Sequence, residues 1–415
     1  MTKGRKIRIL LLTQWCEPEP VLKGVGFAKE LMLRGYDVEV LTGFPNYPTG
    51  IIYSGYRLKV LQREDIDGVH LTRVFLYPSH DSSVFRRALN YVSFFLSSVI
   101  YGSFFSKKFD VIYAYHPPLT TALSACVIGL FRRRPVVLDI QDLWPDSLFA
   151  TGFVGDGRVA RLAGKLCDFV YRRVDRIVVL SPGFLKVLVD RGVSEKKVDV
   201  IYNWADEAQA LTPKECTLPS TFPGRDKFKI LYAGNLGKAQ SLGAVLATAK
   251  ILQEKGSNIV FVFVGGGVEA DLLRKQAFDS GIRNVSFYPQ VSMESVASYL
   301  DAADVLLVHL KKNPLFEITI PSKTQAYMRA GKPLLMAVGG DAENLVLDAK
   351  CGLAALPEDP EDIARVAEIF SRKSAAELSD YGKSGKYYYE KNLAFRVGVS
   401  RFSKIFEDIT RVDVN

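Results

Sequence analysis

The sequence has few of the residues that build disulfide frameworks and metal centres. Its 415 residues include only five cysteines and four histidines. The cysteines are far apart, odd in number and never in a C-x-x-C spacing, so neither a disulfide framework nor a zinc site is supported. We therefore expect no metal centre in this protein.

Long apolar runs are also scarce. Residues 1–16 combine a basic head with an apolar run, but the run is too short for a signal sequence and no small-residue cleavage site follows it. We interpret this run as a first buried strand and expect a cytoplasmic protein. Of two longer uncharged stretches, 111–131 is divided by Pro117 and Pro118 and is interpreted as core. The other, 88–105, is borderline in hydrophobicity for a membrane span.

The stretch 88–105 is rich in aromatic residues and has basic residues on both sides. Arg86 and Arg87 precede it, and Lys107 and Lys108 follow it. This composition suits a helix that touches an anionic membrane from the cytoplasmic side. A well-buried helix of the first domain fits the same pattern equally well, so both interpretations stay open for residues 86–108.

The overall charge is basic, and the excess lies in one half of the chain. Apolar residues make up 48% and charged residues 24%, which is typical of folded globular proteins. The net charge is +9, and residues 1–200 carry 28 lysines and arginines against 19 acidic residues. Residues 201–415 carry equal numbers of basic and acidic side chains. Because the basic residues form no tract of a recognised nucleic-acid-binding type, we expect no nucleic-acid partner.

Short apolar runs alternate with helical patterns along the whole chain, which indicates parallel sheets covered by crossover helices. The predicted strands of the first half are 7–12, 37–41, 69–74, 110–115, 135–140, 176–180 and 198–201. Those of the second half are 229–232, 259–264, 285–288, 305–310, 333–337 and 352–355. Residues 203–228 collect prolines and polar residues without a period, as a linker does. We predict an α/β fold with domains at 1–205 and 206–390 and a final segment at 391–415.

Three loops of the first domain follow predicted strands, at the edge where open α/β sheets bind ligands. The first contains Gly24 and Gly26 at the start of a helix. It does not fit a dinucleotide fingerprint, which needs glycine where Lys29 stands, so an NAD-dependent enzyme is disfavoured. The second contains Asn46 and Tyr47.

The third group of polar residues follows the fourth and fifth predicted strands. It contains His116, Asp142 and Trp144. An indole next to a carboxylate suits a sugar, because the ring can stack on a pyranose face. We expect Gly24, Gly26, Asn46, Tyr47 and Trp144 to bind an acceptor, and Asp142 and His116 to act on the acceptor or the reacting sugar.

The second domain contains two glycine turns after strands and one helix start suited to an anion. The turns contain Gly234, Asn235, Gly237 and Lys238, then Gly265 and Gly266. Pro321, Ser322 and Lys323 begin a helix that ends before Gly331. A helix amino terminus with a hydroxyl and an ammonium group is suited to a diphosphate. A simple capped helix would not require a lysine at the end where the helix dipole disfavours cations.

Six segments of the sequence together resemble those of a known family. The order of LTGFPNYPTG, QDLWPDS, YNWAD, YAGNLGKAQSL, IPSKTQAYMRAGKP and CGLAAL is similar to the retaining GT-B glycosyltransferases of family 4, in the branch that assembles bacterial O-antigen and capsule sugars on a lipid carrier. The resemblance implies two facing Rossmann-like doubly wound parallel-sheet domains, a nucleotide-sugar donor held by the second, an acceptor held by the first, and neither metal nor cofactor. It also implies that the last helix returns to the first domain.

The resemblance assigns roles to particular residues. Ser322, Lys323 and Thr324 match the diphosphate-binding helix start, and Gly234, Asn235 and Lys238 match the phosphate-side loop, where Asn235 replaces the family's arginine. Many members carry two glutamates separated by seven residues, and this chain has Ile318 and Ala326 at those two positions. Glu317 and Gln325 have the same spacing one residue earlier. The predicted donor-binding residues are Gly234, Asn235, Gly237, Gly265, Gly266, Glu317, Pro321, Ser322, Thr324 and Gln325.

The expected activity is transfer of a sugar, of an N-acetylated hexosamine type, from a UDP-sugar to a lipid diphosphate-linked saccharide. Lys323, Lys238, His116 and Asp142 are the predicted catalytic residues. Cations stabilise the leaving diphosphate, and the family mechanism needs no strong general base. A nucleotide-sugar 2-epimerase of the same fold and a non-catalytic scaffold of a membrane assembly are the alternatives. An assay with donor alone identifies an epimerase.

Overall fold

Two α/β units make up the protein, described by a computed structural model at residues 5–80, 83–116, 118–144, 158–207 and 218–411. The first unit comprises Met1–Ile201 together with Val399–Asn415, and the second comprises Tyr202–Gly398. Each unit has one twisted sheet with helices on its faces. Neighbouring strands run parallel, apart from one antiparallel pair in the first unit, as expected where helices connect most of the strands.

The first unit has an eight-stranded sheet with β1 near its centre. Its strands are β1 Arg8–Leu12, β2 Asp37–Gly43, β3 Leu61–Ile66, β4 Val69–Val74, β5 Val111–His116, β6 Val136–Ile140, β7 Arg176–Val179 and β8 Val198–Val200. Their order is β3-β4-β2-β1-β5-β6-β7-β8, and only β3 is antiparallel to its neighbour. The chain departs from β1 toward β2 on one side and returns to β5 on the other. Parallel sheets bind ligands at such a switch point, beyond the carboxyl ends of the strands.

Helices cover this sheet, and the last helix of the chain is one of them. They are α1 Val25–Leu33, α2 Val84–Phe104, α3 Leu119–Arg132, α4 Arg158–Arg173 and α5 Pro182–Asp190, together with α14 Phe395–Arg411. Phe402 of α14 packs on Phe27 and Tyr113 with ring centroids 5.3 and 5.4 Å apart. The Tyr36 hydroxyl donates to the carbonyl oxygen of Ser403 at 3.2 Å. The final helix therefore completes the core of the first unit.

Strand β3 was absent from the sequence prediction. Its burial alternates between exposed and partly buried residues, so it has no apolar run to mark it. It forms a hairpin with β4 through Asp67 and Gly68, which both have positive φ angles of 56° and 84°. An Asp-Gly pair is a strong hairpin signal, and this dipeptide is what could have revealed the strand.

The second unit has a six-stranded, fully parallel sheet with β9 and β12 at its centre. Its strands are β9 Phe228–Ala233, β10 Ile259–Val264, β11 Val285–Tyr288, β12 Val305–His309, β13 Leu334–Ala337 and β14 Gly352–Ala354, in the order β11-β10-β9-β12-β13-β14. Its helices are α6 Leu242–Glu254, α7 Ala270–Asp279, α8 Met293–Ala302, α9 Pro314–Glu317, α10 Ser322–Ala330, α11 Asp341–Asp348, α12 Pro360–Ser371 and α13 Ala375–Tyr388. The switch point lies between β9 and β12.

The boundary between the units precedes the proline-rich segment. Trp204 and Ala205 are both buried in the second unit. The Trp204 ring packs edge-on against Phe395 at 5.1 Å, and a Cβ at Gly398 would collide with that indole. The sequence prediction of a boundary at 205–225 placed this tryptophan in the first domain. Residues 208–217 of the predicted linker, including Cys216, lie outside the described residues.

Helix α2 packs on the first unit with one face and leaves the other uncovered by described residues. Phe94, Ser98 and Tyr101 are buried, and the Ser98 hydroxyl donates to Ser124 Oγ of α3 at 2.9 Å. A Cβ at Gly102 would approach the Ile128 side chain to 2.5 Å. The outward positions carry exposed apolar side chains at Phe85, Leu89, Val92, Leu96, Ile100 and Phe104. Within the described residues, no helix has the length and apolar character needed to cross a membrane.

Candidate active site

Two glycine turns meet at the carboxyl ends of β9 and β10 in the second unit. The Gly234 amide donates to the carbonyl oxygen of Val264 at 2.9 Å, and the Leu236 amide donates to that of Gly266 at 2.8 Å. Gly265 has a φ of +148°, and a Cβ there would collide with the Gly234 carbonyl. Only glycine allows the two turns to approach so closely.

A cavity of about 300 Å³ lies against these turns. Its lining residues are Gly234, Asn235, Val264, Gly265, Gly266, Gln290, Val291 and Val296. Its volume is at the lower end of the range for small-molecule sites. The predicted donor residues Gly234, Asn235, Gly265 and Gly266 therefore surround one concave site. Gly237 is buried in the same loop, whereas the neighbouring Lys238 is exposed.

Helix α10 brings Lys323 to the first glycine turn. The helix begins at Ser322 directly after Pro321 and ends at Gly331, whose φ of +71° is the left-handed conformation of a helix cap. The ammonium group of Lys323 lies 3.5 Å from the centroid of the Tyr232 ring. A Cβ added to Gly234 would be 3.4 Å from the same nitrogen. Lys323 therefore faces the turn that the sequence predicted for a diphosphate.

The Lys323 nitrogen is buried and has no hydrogen-bond partner among the described residues. Removal from water disfavours its charged form and lowers the pKa of Lys323 to about 7. Contact with the aromatic face of Tyr232 is favourable for the cation. A buried ammonium without an anionic partner is the condition in which a diphosphate would be bound strongly.

A hydrogen-bond network next to Lys323 connects three strand ends, and sequence reasoning missed it. His309, at the end of β12, has Nδ1 2.6 Å from the Gln240 carbonyl oxygen, and its Nε2 accepts from the Glu358 amide at 3.1 Å. Glu358 in turn accepts from the Ser241 hydroxyl at 2.5 Å and from the Lys312 amide at 2.7 Å. Burial lowers the pKa of His309, and nearby Lys323 lowers it further. His309 is thus neutral and holds the glycine loop in place.

The remaining predicted donor residues lie around the start of α10 and differ in burial and in hydrogen bonding. Gln325 is buried, and its side-chain amide is satisfied when oriented so that its nitrogen donates to the carbonyl oxygens of Pro321 and Ser322, at 3.0 and 3.2 Å. The Thr324 hydroxyl is buried without a partner among the described residues. Glu317 is exposed and lines a surface cavity with Lys312, Gly340 and Glu358. The Gln325 side chain therefore shapes the helix terminus, while Ser322, which is exposed, remains open to a ligand.

In the first unit, the start of α1 is occupied by a carboxylate of the chain itself. Both carboxylate oxygens of Glu17 accept from the Val25 amide, at 3.0 and 2.8 Å. A Cβ at Gly24 would collide with this carboxylate. The glycine at Gly24 thus makes room for Glu17, whereas Gly26 is exposed and has no atom close to the position of a Cβ. Sequence reasoning did not connect Glu17 with this helix.

Buried polar side chains hold the loop after β2 in place through hydrogen bonds. Glu19 accepts from the amides of Asn46 and Tyr47, both at 2.8 Å, and from the Cys16 amide at 2.9 Å. Burial raises the pKa of Glu19 to about 7. The Asn46 side chain is 2% exposed and accepts from Asn90 Nδ2 at 3.3 Å. Asn46 therefore supports the loop from inside, and Tyr47 carries its exposed aromatic surface.

His116 and Trp144 lie together at the ends of β5 and β6. Their ring centroids are 6.2 Å apart in an edge-on arrangement. His116 is completely buried, and neither ring nitrogen has a hydrogen-bond partner among the described residues. Burial lowers the pKa of His116 to about 4, so the imidazole is neutral at physiological pH. Asp142 has exposed surface, and partial removal of its carboxyl from water raises its pKa.

A buried ion pair lies beneath this sheet edge. The Lys23 ammonium is 2.6 Å from Asp139 Oδ2, and both side chains have no exposed surface. The Tyr113 hydroxyl donates to the same oxygen and Gln141 Nε2 donates to Oδ1, each at 2.6 Å. In the sequence, Asp139, Asp142 and Asp146 all lie at or just after the end of the fifth predicted strand. The partners of Asp139 show that it holds the loop before α1 against β6, while Asp146 lies outside the described residues.

Two families match the chain in succession. The description "Glycosyl transferase 4-like domain" covers residues 25–204, and "Glycosyl transferases group 1" covers residues 219–386. The first match lies almost wholly in the first unit and the second match lies within the second unit. No group of three or more residues able to hold a metal ion occurs in the part of the chain that the structure describes.

Similar proteins are found among curated sequences and solved structures. WcaI of Escherichia coli (strain K12), a glycosyl transferase named for colanic acid biosynthesis, is 28% identical over 345 residues, which cover 78% of this chain and 80% of WcaI. Sucrose-phosphate synthase from Thermosynechococcus elongatus matches with a TM-score of 0.69 and 15% identity, covering 98% of this chain and all of that one. HepE from Anabaena, in complex with UDP and glucose, matches with a TM-score of 0.60 and 16% identity over 97% and 99%. These likenesses show the GT-B fold.

Proposed function

Since the chain belongs to the family 4 glycosyltransferases of the GT-B fold, we propose that it moves a sugar from a UDP-sugar to a lipid-linked saccharide with retention of the anomeric configuration. The transferred sugar is an N-acetylated hexosamine, and the product is a precursor of a bacterial cell-surface polysaccharide such as O-antigen or capsule. The name of WcaI points to polysaccharide assembly, and the UDP bound in HepE supports a UDP donor.

The observation that carries this proposal is the placement of Lys323. Its buried ammonium faces the Gly234 turn and has no anionic partner among the described residues. The exposed Ser322 lies at the same amino-terminal end of α10. Positive charge, a hydroxyl and helix amides at one point are the groups that stabilise a diphosphate as negative charge develops on it.

The reaction needs little more than this charge stabilisation. The bond between the anomeric carbon and the β-phosphate oxygen breaks, and its electron pair leaves with UDP. An acceptor hydroxyl forms the new bond on the same face, and its proton passes to a phosphate oxygen. Lys323 stabilises the departing phosphate. Because Lys323 and the helix amides supply the charge, we propose that no metal ion takes part.

The lipid-linked acceptor is supported by the uncovered face of α2. The exposed apolar residues Phe85, Leu89, Val92, Leu96, Ile100 and Phe104 recur every three or four positions, so they form one stripe along the helix. Leu130 and Phe131 of α3 extend it, with Phe131 and Phe104 rings 4.8 Å apart. Arg86, Arg87, Lys107 and Lys108 lie at its two ends. An apolar stripe between basic ends suits the cytoplasmic leaflet of an anionic membrane.

A nucleotide panel tests the donor assignment. Thermal unfolding is followed with UDP, GDP, ADP and dTDP, because a ligand of the folded state raises the melting temperature by mass action. We expect a shift with UDP, lost in Lys323→Ala. A shift confined to GDP would refute the UDP assignment.

Transfer itself is tested with a radiolabelled UDP-N-acetylhexosamine and a polyprenyl diphosphate-linked saccharide. We expect labelled lipid product that requires both substrates and that keeps the anomeric configuration of the donor. Formation of a new UDP-sugar from donor alone would identify an epimerase. Binding of the lipid without any turnover would identify a scaffold.

Membrane contact is tested by sedimentation with vesicles of phosphatidylglycerol and phosphatidylethanolamine. Leu96→Ser with Ile100→Ser should reduce binding more than tenfold, since burying one such side chain contributes about 1.5–3 kcal/mol. The matched control is Leu272→Ser with Phe278→Ser, two exposed apolar positions of the second unit. Equal binding of both pairs of variants would contradict this role of α2.

A further inference from the structure

Three aromatic rings from separate loops meet at the carboxyl end of the first sheet. Trp15 follows β1, Tyr47 follows β2 and His80 follows β4. The Trp15 and Tyr47 rings are stacked, with centroids 4.5 Å apart and planes at 28°. The His80 ring stands edge-on to Tyr47 at 4.9 Å and 83°. All three residues retain exposed surface, so the cluster is accessible to a ligand.

The Tyr47 and His80 rings are held in position by hydrogen bonds and close packing of the segments that carry them. Glu19 accepts from the Tyr47 amide, and the Tyr53 hydroxyl donates to the Tyr47 carbonyl oxygen at 2.8 Å. A Cβ at Gly50 would collide with the backbone of the segment that carries His80. Burying a carboxylate such as Glu19 is costly, and here it orders a surface loop. A preorganised aromatic surface binds a ligand without the entropy cost of ordering it.

Charged groups of opposite sign flank the rings. The Asp142 carboxyl is close enough to raise the pKa of the Tyr47 hydroxyl, together with burial. Arg87 is close enough to His80 to lower the pKa of its imidazole, in addition to the larger effect of burial. The aromatic surface therefore has a hydrogen-bond acceptor near Tyr47 and a cation near His80. This combination matches a sugar linked to phosphate: rings for the apolar pyranose face, a carboxylate for hydroxyls and a guanidinium for phosphate.

We propose that Trp15, Tyr47 and His80 form the subsite that binds the pyranose of the lipid-linked acceptor. Asp142 accepts hydrogen bonds from its hydroxyls, and its diphosphate lies on the Arg87 side. This subsite rests on the proposed function, and it identifies the pyranose as the part of the acceptor that the aromatic rings recognise. The start of α2 carries Arg87, so the subsite adjoins the apolar stripe, where the lipid chain would enter.

Direct binding tests this subsite in the full chain. The probes are polyprenyl diphosphate-linked N-acetylglucosamine and the same lipid diphosphate without sugar, each in detergent micelles and followed by tryptophan fluorescence and by calorimetry. The wild type should bind the sugar-bearing lipid more tightly. Trp15→Ala should abolish that preference, a loss of roughly tenfold given the strength of aromatic contacts, while affinity for the sugar-free lipid stays unchanged.

Three further variants keep the test independent of folding. Trp15→Phe preserves a ring and should retain most of the preference, and His80→Ala should weaken it by a smaller factor. Phe169→Ala removes an exposed aromatic residue elsewhere in the same unit and should change nothing. Thermal unfolding of each variant reports its folding. Equal preference in Trp15→Ala and the wild type overturns the subsite, as does a wild type that does not distinguish the two lipids.

Kinetics separate the subsite from the proposed function. With a transferable UDP-sugar, Trp15→Ala should raise the KM for the lipid acceptor roughly tenfold and leave the KM for donor unchanged. A sugar preference that depends on Trp15, in a protein that transfers no sugar, would overturn the proposed transfer and leave the subsite standing. A raised donor KM in Trp15→Ala would instead overturn the subsite.

Discussion

Replacing Lys323 with methionine should stabilise the second unit while it removes donor binding. The unfolded chain holds this lysine protonated up to its ordinary pKa of 10.5, and the folded protein lowers that pKa to about 7. The folded state therefore binds fewer protons, so burial of Lys323 destabilises the unit at neutral pH and the penalty declines as the pH rises toward 10.5. Methionine keeps the length and the contact with Tyr232 and carries no charge.

The size of the effect follows from the pKa values. Each pH unit between them corresponds to about 1.4 kcal/mol, so the penalty is at most about 4 kcal/mol at pH 7 and about 2 kcal/mol at pH 9. The contact of the ammonium with the Tyr232 ring offsets about 1–2 kcal/mol of it. We therefore expect Lys323→Met to gain about 2–3 kcal/mol at pH 7, and the gain to shrink by up to about 2 kcal/mol at pH 9.

Scanning calorimetry is the assay, applied to the transition that UDP shifts in the wild type. For a unit of this size the gain corresponds to a rise in Tm of about 5–10 °C. Affinity for UDP should fall at least about thirtyfold, because a charge-assisted hydrogen bond in a dry site is lost. Lys250→Met, at an exposed lysine of α6 in the same unit, is the matched control and should change neither quantity. A Lys323→Met variant that is no more stable than the wild type at pH 7, or whose stability gain is the same at pH 9, would show that burial of Lys323 does not destabilise the unit.

Two further predictions concern the buried Lys23–Asp139 ion pair and the glycine turn at Gly265. Lys23→Met leaves Asp139 buried without its cation and should reduce the free energy of unfolding of the first unit by about 3–5 kcal/mol, measured by urea denaturation. The double variant Lys23→Met with Asp139→Asn should lose less stability. A double variant at least as unstable as the single one would contradict the stabilising role of the ion pair. Gly265→Ala should destabilise the second unit by about 2 kcal/mol or more and weaken UDP binding, because its Cβ meets the Gly234 carbonyl at a positive φ. Its control is Gly243→Ala within α6, where a Cβ has room and should stabilise slightly. Equal thermal stability of these two glycine variants would refute the close-approach argument.

The α/β GT-B fold class predicted from the sequence is confirmed by the structure and by its likeness to solved proteins. Thirteen predicted strands lie within two residues of observed ones, because strands buried on both faces are continuous apolar runs that a sequence displays directly. The exception, β3, is a polar edge strand whose position depends on pairing with β4. The predicted roles of individual site residues stay predictions, although the structure places Gly234, Asn235, Gly265 and Gly266 around one cavity.

The sequence by itself determined those features that depend on neighbours along the chain. The glycine turns after β9 and β10, and the proline, serine and lysine at the start of α10, are local patterns with a local physical reason. Only the tertiary structure decided which distant side chains contact these local segments. Glu17 fills the start of α1, Tyr232 lies under Lys323, and Trp15 stacks on Tyr47 because the order of strands in each sheet brings distant loops to the same edge. Burial then sets the charge of Lys323 and His116, since desolvation depends on everything packed around a group and not on its own segment.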